Sequence, residues 1–312
     1  MARSPLQSYK VQRQLLDVVR MLFGRHMGIA LVVMLALCGM WYWSQQAARE
    51  RMSWEGMPQA QHMGDWRTWH RVLRNDAYLV GWSDVREAPL WVVYRLDAKQ
   101  DPYRLKRPEG FEQDWRSAMP LTPATYNGTG YDRGHMAPNH AIAALYGKEA
   151  QQQTFLMTNI TPQRPNLNRK LWQRLEAAEM DVLLPQMGTV WVIDGPIYGS
   201  EPSYLSTCRG WGAALLSLKV PVCVAIPQSF YKILVVPGQQ GQAPRMLAFI
   251  FPQEVRGDEP LDRYLVAVDD VERQTGLNFF PLLSEVQQQQ LESSVNTAGW
   301  PLSQFVRTPS RY

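Results

Sequence analysis

The chain has 312 residues, of which 46% are apolar and 19% are charged. This composition excludes a disordered or fibrous chain, and three cysteines exclude both a disulfide-rich small scaffold and a four-cysteine zinc site. The net charge of +4 lies entirely in residues 1–26, which hold five basic residues and one acidic residue. Residues 27–312 carry no net charge, so the basic excess does not tell us what that larger part binds.

An uncharged apolar segment follows the basic tail at residues 27–43. As a helix it would be about 25 Å long at about 1.5 Å per residue, close to the thickness of a bilayer's hydrocarbon core. Trp41, Tyr42 and Trp43 are typical of a membrane interface, and the preceding basic residues favour a cytoplasmic N-terminus. We therefore expect an uncleaved transmembrane signal anchor and an extracytoplasmic (periplasmic or extracellular) remainder. The alternatives are a cleaved signal peptide and the core helix of a soluble protein.

Two of the cysteines, Cys208 and Cys223, lie in the part expected outside the cytoplasm. In an oxidising compartment they could form a disulfide that closes a 15-residue loop and adds about 3 kcal/mol to stability. The alternative is a pair of buried free thiols, because sequence spacing does not fix the distance between the two Cα atoms.

The rest of the chain divides into a polar stretch at residues 44–75, interpreted as a linker, and a main domain at residues 76–312. Short apolar runs bounded by proline, glycine or polar residues predict strands in this domain. These runs are Leu90–Leu96, Thr189–Ile193, Ser229–Val236 and Met246–Phe251.

Helical periodicity is clearest at Asn168–Leu184. A short polar helix is predicted from Asp270 to Thr275, ending at Gly276, and Gln287–Gln290 is expected on an exposed helix. Because strands and helices do not alternate regularly, the sequence predicts an α+β fold with a mostly antiparallel sheet and flanking helices.

The densest group of reactive residues is Asp132-Arg133-Gly134-His135. His135 is a candidate base, Arg133 a candidate clamp for an anion, and Asp132 a carboxylate that could orient either of them. Gly134 would let the backbone turn or approach closely between them. Such a short pattern, taken alone, occurs far more often in ordinary turns than in catalytic sites.

A second group offers oxygen ligands for a hard cation, namely the amide of Asn168 and the carboxylate of Glu176. On a regular α-helix these two residues would be about 80° out of alignment and about 12 Å apart along the axis. One of them would therefore bind an ion directly and the other would reach a metal-bound water, an arrangement that Mg²⁺ tolerates. The alternative for Asn168 is a helix N-cap. For Asn159, the alternatives are a supporting role in a site and the satisfaction of nearby backbone groups.

These motifs resemble those of the DNA/RNA non-specific endonuclease family, which has the ββα-metal fold. The likeness rests on Tyr131 and Asp132–His135 followed by Met-Ala-Pro, on Asn159–Gln163, and on an Asn-x-x-x-Trp-x-x-Leu-Glu pattern. That last pattern is formed by Asn168, Trp172, Leu175 and Glu176. The resemblance spans about two thirds of the chain, and its motifs occur in the expected order and spacing.

The resemblance implies a hydrolase that cuts phosphodiester bonds of DNA and RNA through backbone contacts, with little sequence preference. In it, His135 is the general base and Asn168 is the sole direct protein ligand of one Mg²⁺, with Mn²⁺ as the alternative ion. Glu176 would hold a metal-bound water, and Asn159 would support the site. Arg133 would contact phosphate, and the strand residue Arg95 is a weaker match for the same role.

Arg169 and Lys170 depart from the small residues that many members have after the asparagine, and they add positive charge. With Arg95 and Arg133 they are candidates for a local basic cleft. A homodimer is a further expectation, since dimers are common in this family. The alternative function is a non-catalytic nucleic-acid-binding protein or a structural envelope protein on the same fold.

Overall fold

A seven-stranded antiparallel sheet lies at the centre of the fold. This computed structural model describes residues 17, 27–201, 203–206, 223–238 and 243–309. Their strands are β1 (Gln59–Ala60), β2 (Arg71–Arg74), β3 (Tyr78–Ser83), β4 (Ala88–Asp97), β5 (Asp132–His135), β6 (Ile160–Gln163), β7 (Thr189–Ile197), β8 (Ser203–Tyr204), β9 (Ala225–Ile226), β10 (Ser229–Val236), β11 (Arg245–Pro252), β12 (Leu265–Val266) and β13 (Leu277–Asn278). The large sheet has the order β12-β11-β10-β7-β4-β3-β2, and β1–β13, β5–β6 and β8–β9 form separate pairs.

The described helices are α1 (Met27–Met52), α2 (Asn139–Tyr146), α3 (Lys148–Gln153), α4 (residues 167–187), α5 (Val268–Thr275), α6 (Glu285–Glu292) and α7 (Leu302–Val306). Helices α2 to α7 flank the large sheet. The mixed fold with an antiparallel sheet confirms the predicted class, and the four predicted strands are β4, β7, β10 and β11. The predicted helix ending at Gly276 is also confirmed, since Gly276 adopts a left-handed φ of 72° after α5.

Helix α4 is not a regular α-helix. It begins with a π-helical segment at Leu167–Trp172, continues as α-helix over Gln173–Ala178, and has a second π-helical segment at Glu179–Leu183. Strands β5 and β6 precede it and pair antiparallel, with Asp132 opposite Gln163 and His135 opposite Ile160. Strand β5 and helix α4 carry five of the seven predicted site residues, whereas Asn159 directly precedes β6 and Arg95 lies in β4.

The large sheet has an apolar cluster on each face. Along β4, Val92, Tyr94 and Leu96 belong to the cluster that includes residues of α4. Trp91 and Val93 belong to the second cluster, with residues of α5 and β13. From Trp91 to Leu96 this alternation follows from the two-residue period of a strand.

The N-terminal segment and the main domain form two compact units, Met1–Ala48 and Arg49–Tyr312. Helix α1 is longer than the predicted 17 residues and extends from Met27 to Met52. Its span Gly28–Met52 is the one helix in the described part of the chain that is long and apolar enough to cross a membrane. By the same criteria it could also be a signal sequence.

The linker predicted at residues 44–75 was placed wrongly. Strand β1 pairs with β13, β2 is the edge strand of the large sheet, and both lie inside that range. Thr68 and Leu73 are buried. The sequence concealed these elements because a two-residue strand and a short edge strand have too few apolar positions to produce a periodic pattern.

The described cysteines are Cys38 and Cys223. Cys38 is an exposed free thiol, whereas Cys223 is disulfide-bonded. The predicted partner, Cys208, lies outside the described residues.

Candidate active site

Strand β5 directs two of the predicted residues to the same side, because Arg133 and His135 are two positions apart. Gly134 lies between them in the strand and is needed for close packing rather than for a turn. A Cβ atom at this position would lie 2.1 Å from Oε1 of Gln163, which is itself fully buried. Glycine therefore leaves room for the Gln163 side chain against β5, on the face opposite the one to which Arg133 and His135 project.

A cavity of about 400 Å³ brings together four of the predicted site residues, Arg133, His135, Asn168 and Glu176. They come from β5 and α4, which are separated by more than 30 residues in the chain. The cavity wall also includes Arg107, His140 and Arg169. The sequence motifs indicated a role for neither Arg107, which lies in an irregular segment, nor His140, which follows the first motif at the start of α2.

His135 lies against two aromatic rings that the motifs did not reveal. The ring centroids of Phe111 and Phe155 are 5.3 Å and 5.0 Å from that of the imidazole. The Nε2 atom is buried and has no hydrogen-bond partner in the described part of the protein. Burial, followed by the positive charge of Arg107, lowers the pKa of His135 to about 3. The imidazole is therefore neutral at pH 7, which is the protonation state that a general base has before it takes up a proton.

Asn159 lies behind this residue and does not line the cavity. Its amide group is fully buried, donates to the carbonyl oxygens of Ala137 and Thr154 at 3.0 Å each, and accepts from the amide of Ala137 at 2.9 Å. Its own carbonyl accepts from the amide of Met136 at 3.0 Å. Asn159 thus holds the backbone that follows His135, which makes it a positioning residue rather than a group that touches substrate.

Asn168 is held by a carboxylate of the first motif. Its Nδ2 donates to Oδ2 of Asp132 at 2.9 Å, and Arg169 binds the same carboxylate through two bonds of 2.7 Å and 2.6 Å. Burial by itself would raise the pKa of Asp132, but the hydrogen bonds from Arg169 and Asn168 outweigh it and lower the pKa. Since Nδ2 is engaged, the other amide atom, Oδ1, is left to act as a ligand.

The alternative that Asn168 is a helix N-cap is wrong. Its backbone amide donates to the carbonyl of Arg164 at 2.9 Å, which places Asn168 inside the helix. The offset of about 80° calculated for a regular α-helix does not apply to Asn168 and Glu176, because a π-helical segment holds more residues per turn than an α-helix. The rotation per residue is therefore smaller, and both side chains line the same cavity.

Glu176 lies next to a cluster of fully buried charged side chains. Lys232 lies 3.2 Å from Oε1 of Glu179 and 3.1 Å from Oδ2 of Asp194, and its Nζ donates to the hydroxyl of Tyr94 at 3.1 Å. Burial is the main cause that raises the pKa of Glu176 to about 8, with Lys232 acting in the opposite direction.

Two of the candidates for a basic cleft lie elsewhere. Arg95 projects with Val93 and Trp91 towards the sheet face opposite α4, where it pairs with Asp97 at 2.8 Å and lies 4.7 Å from the ring centroid of Trp191. Lys170 donates to the carbonyl of Arg256 at 3.5 Å and does not line the cavity. Among the described residues, the arginine and lysine side chains that line the cavity are Arg107, Arg133 and Arg169, so Arg95 and Lys170 lie outside the site.

Comparison with known proteins identifies the family. The family model for the DNA/RNA non-specific endonuclease matches residues 67–286. The chain belongs to this family. It is 31% identical over 235 residues to Nuclease C1 of Cunninghamella echinulata var. echinulata, an alignment that covers 70% of this chain and 86% of that protein. It is 29% identical over 221 residues to human mitochondrial endonuclease G, covering 68% of this chain and 70% of the relative.

A solved structure supports the same assignment. The chain resembles a crystal structure described as the EndoG/EndoGI complex with a TM-score of 0.57 and 27% identity, covering 70% of this chain and 89% of that chain. As a member of the non-specific endonuclease family, the protein is a nuclease, a hydrolase that acts on nucleic acids, and the family depends on a divalent metal.

Proposed function

We propose that this nuclease is a Mg²⁺-dependent, sugar-non-specific endonuclease in which His135 activates the attacking water. The observation that carries the proposal is the meeting of Arg133, His135, Asn168 and Glu176 in one cavity. A neutral base, an anion clamp and two oxygen donors are a sufficient set for hydrolysis of a phosphodiester bond.

The donor set of the cavity suits a hydrated Mg²⁺ ion. Oδ1 of Asn168 would be the one direct protein ligand, and Glu176 would accept a hydrogen bond from a metal-bound water. Mg²⁺ keeps several waters and needs few protein ligands, and Mn²⁺ is the alternative ion. When bound, the metal supplies positive charge that stabilises the scissile phosphate and the leaving oxygen.

Each of the other site residues has a separate role in the proposed reaction. His135 takes the proton of the attacking water at Nε2, the buried atom without a described partner. Arg133 binds a phosphate oxygen; its guanidinium is oriented by bonds of 3.1 Å and 2.8 Å to the carbonyl of Pro123. Asp132 orients Asn168, and Asn159 fixes the backbone after His135. Contacts of this kind address the phosphate backbone and carry no sequence information, which agrees with hydrolysis of both DNA and RNA.

Incubation of the full-length chain with plasmid DNA, single-stranded DNA and RNA, with Mg²⁺ or with a chelator, tests this proposal. We expect His135→Ala to abolish cleavage of every substrate while nucleic-acid binding stays measurable, and the exposed His62→Ala to serve as an unaffected control. Cleavage by His135→Ala at the wild-type rate would exclude the proposed base. Absence of metal-dependent cleavage by the wild type would instead favour a non-catalytic binding or structural envelope protein.

We also propose that helix α1 anchors the protein, with residues 1–26 in the cytoplasm and the nuclease domain outside it; a cleaved signal peptide is the alternative. The basic tail before the apolar segment supports this orientation. A reporter fused after residue 60 should be active only outside the cytoplasm, and N-terminal sequencing distinguishes an anchor from a cleaved peptide. A homodimer is a further proposal, and light scattering of the purified chain tests it.

A further inference from the structure

A second cavity, of about 590 Å³, lies apart from the active site and shares no lining residue with it. Its wall is formed by the end of β7 and the residues that follow, by the C-terminal end of α5, and by Arg67 and Arg86. The catalytic chemistry described above uses none of these groups.

Arg86 is the unusual residue of this cavity, because only 6% of its surface is exposed and its Nη1 atom is buried without a hydrogen-bond partner in the described ranges. Its Nε donates to the carbonyl of Arg67 at 3.3 Å. The hydroxyl of Tyr198, on the same wall, is also buried and has no described partner. A buried guanidinium remains charged, and leaving its donors unsatisfied is costly.

Two aromatic rings lie close to the Arg86 guanidinium, whose Cζ atom is 4.4 Å from the ring centroid of Tyr198 and 5.6 Å from that of Trp66. Its Nη1 atom is the donor left for a ligand, because it has no partner among the described residues. A planar edge of N–H donors is suited to the oxygens of a phosphate or a carboxylate.

The other charges of the cavity are mostly compensated. Asp65 binds Arg67 at 2.7 Å, and Arg273 pairs with Asp270. Glu201 is exposed at the rim. Among the described residues of this cavity, Arg86 therefore carries the buried positive charge that an incoming anion would meet. The cavity volume is in the range of sites that hold small molecules.

We propose that this cavity is a second phosphate-binding site, in which Arg86 and Tyr198 bind the phosphoryl group of a nucleotide or of a nucleic-acid strand. The shared chemistry is a phosphate oxyanion held by the edge of a buried guanidinium and by a phenol hydroxyl. A free nucleotide would be a product of hydrolysis bound away from the active site. A strand would extend the contact with substrate to a second face of the protein.

Calorimetric titration of the full-length His135→Ala chain in the presence of a chelator tests the site without cleavage or metal-bridged binding. The probes are inorganic phosphate, thymidine 5′-monophosphate, a short single-stranded DNA oligonucleotide, and acetate. We expect Arg86→Met to weaken phosphate binding by about tenfold or more, and Tyr198→Phe to weaken it about threefold. Arg256→Met, whose side chain is 76% exposed, is the matched control and should change nothing.

The active site could also bind phosphate, so Arg133→Met is included, and the proposed site must keep its affinity in that variant. Tighter binding of the mononucleotide than of the oligonucleotide identifies a free nucleotide, and the reverse identifies a strand. The proposal is overturned if phosphate does not bind, if acetate binds equally well, or if Tyr198→Phe and a folded Arg86→Met both bind like the parent. If Arg86→Met does not fold, as judged by circular dichroism, Tyr198→Phe decides the question alone.

Discussion

The Nδ2 atom of Asn168 donates to Oδ2 of Asp132 at 2.9 Å, which joins the two motifs of the proposed active site. The aspartate of the Asp-Arg-Gly-His sequence is therefore not an orienting partner for His135. It fixes the amide plane of Asn168, and Arg169 in turn fixes the aspartate. Outer groups of this kind commonly determine how well a ligand binds its metal.

Asp132→Ala should therefore weaken metal binding. We expect about 10- to 100-fold lower affinity for Mg²⁺, with activity largely recovered at high Mg²⁺ concentration, because the base and the arginine clamp remain. The measurement is the Mg²⁺ concentration that gives half-maximal cleavage, supported by direct metal titration. Asp258→Ala removes a side chain that is 75% exposed and is the control. An unchanged Mg²⁺ requirement in Asp132→Ala would show that Asp132 does not orient a ligand.

The lowered pKa of His135 predicts a defined dependence of stability on pH. The imidazole has a pKa of about 3 when folded, against an ordinary value of 6.5, so below pH 6.5 the unfolded chain takes up a proton that the folded chain excludes. His135 therefore makes the free energy of unfolding decrease as the pH falls from about 6.5 to about 3. Denaturant unfolding across this range should show a shallower decrease for His135→Gln than for the wild type. His62→Gln should follow the wild type, and parallel curves for all three proteins would contradict the assigned shift.

The positions of the strands could be predicted from the sequence more accurately than the face of the sheet to which each side chain points. Strands β4 and β10 are rich in β-branched and aromatic residues, which local propensity identifies. The direction of Arg95 depends on which face of β4 meets α4, and a single strand does not contain that information. The apolar pattern of α4 predicts one continuous helix and does not reveal its two π-helical segments. Phe111 and Phe155 reach His135 from segments that have no periodic pattern.

A buried acidic group near the C-terminus predicts the opposite pH dependence. Oxygen atoms of Asp269, Glu272 and Glu292 lie within 4.8 Å of one another, and burial followed by the charges of Glu272 and Asp269 raises the pKa of Glu292 to about 8. The folded chain therefore retains a proton that the unfolded chain loses above about pH 4.5, so the stability contributed by this group decreases as the pH rises from about 4.5 to about 8.

Glu292→Gln should remove this dependence and leave the protein more stable than the wild type at pH 8 to 9. Urea unfolding in the presence of a chelator is the measurement, since a bound cation would mask the effect. Glu285→Gln, at an exposed position of the same helix, is the control and should not change the pH profile. Equal stability of Glu292→Gln and wild type throughout this pH range would refute the prediction.

Lys232 should be essential for stability because it is the cation of a fully buried charge group. Its Nζ lies 3.2 Å from Glu179 and 3.1 Å from Asp194, and 4.5 Å from the ring centroid of Trp172 in the first π-helical segment of α4. Burial opposes the charge, but the two carboxylates outweigh it and raise the pKa of Lys232. Removal of the cation alone would leave two buried carboxyl groups without their partner. This destabilises a protein more than replacing the whole buried ion pair with apolar residues does.

We therefore expect Lys232→Met to lower the free energy of unfolding by about 3–5 kcal/mol, and Lys148→Met, at an exposed position, to leave it unchanged. The double variant Lys232→Met/Asp194→Asn should recover part of the loss, because it removes one of the unpaired charges. Denaturant unfolding at neutral pH measures all three. A loss in Lys232→Met no larger than that in Lys148→Met would show that the buried charges do not depend on one another. A double variant no more stable than Lys232→Met would mean that the lost packing of the lysine stem, rather than the uncompensated carboxylate, accounts for the effect.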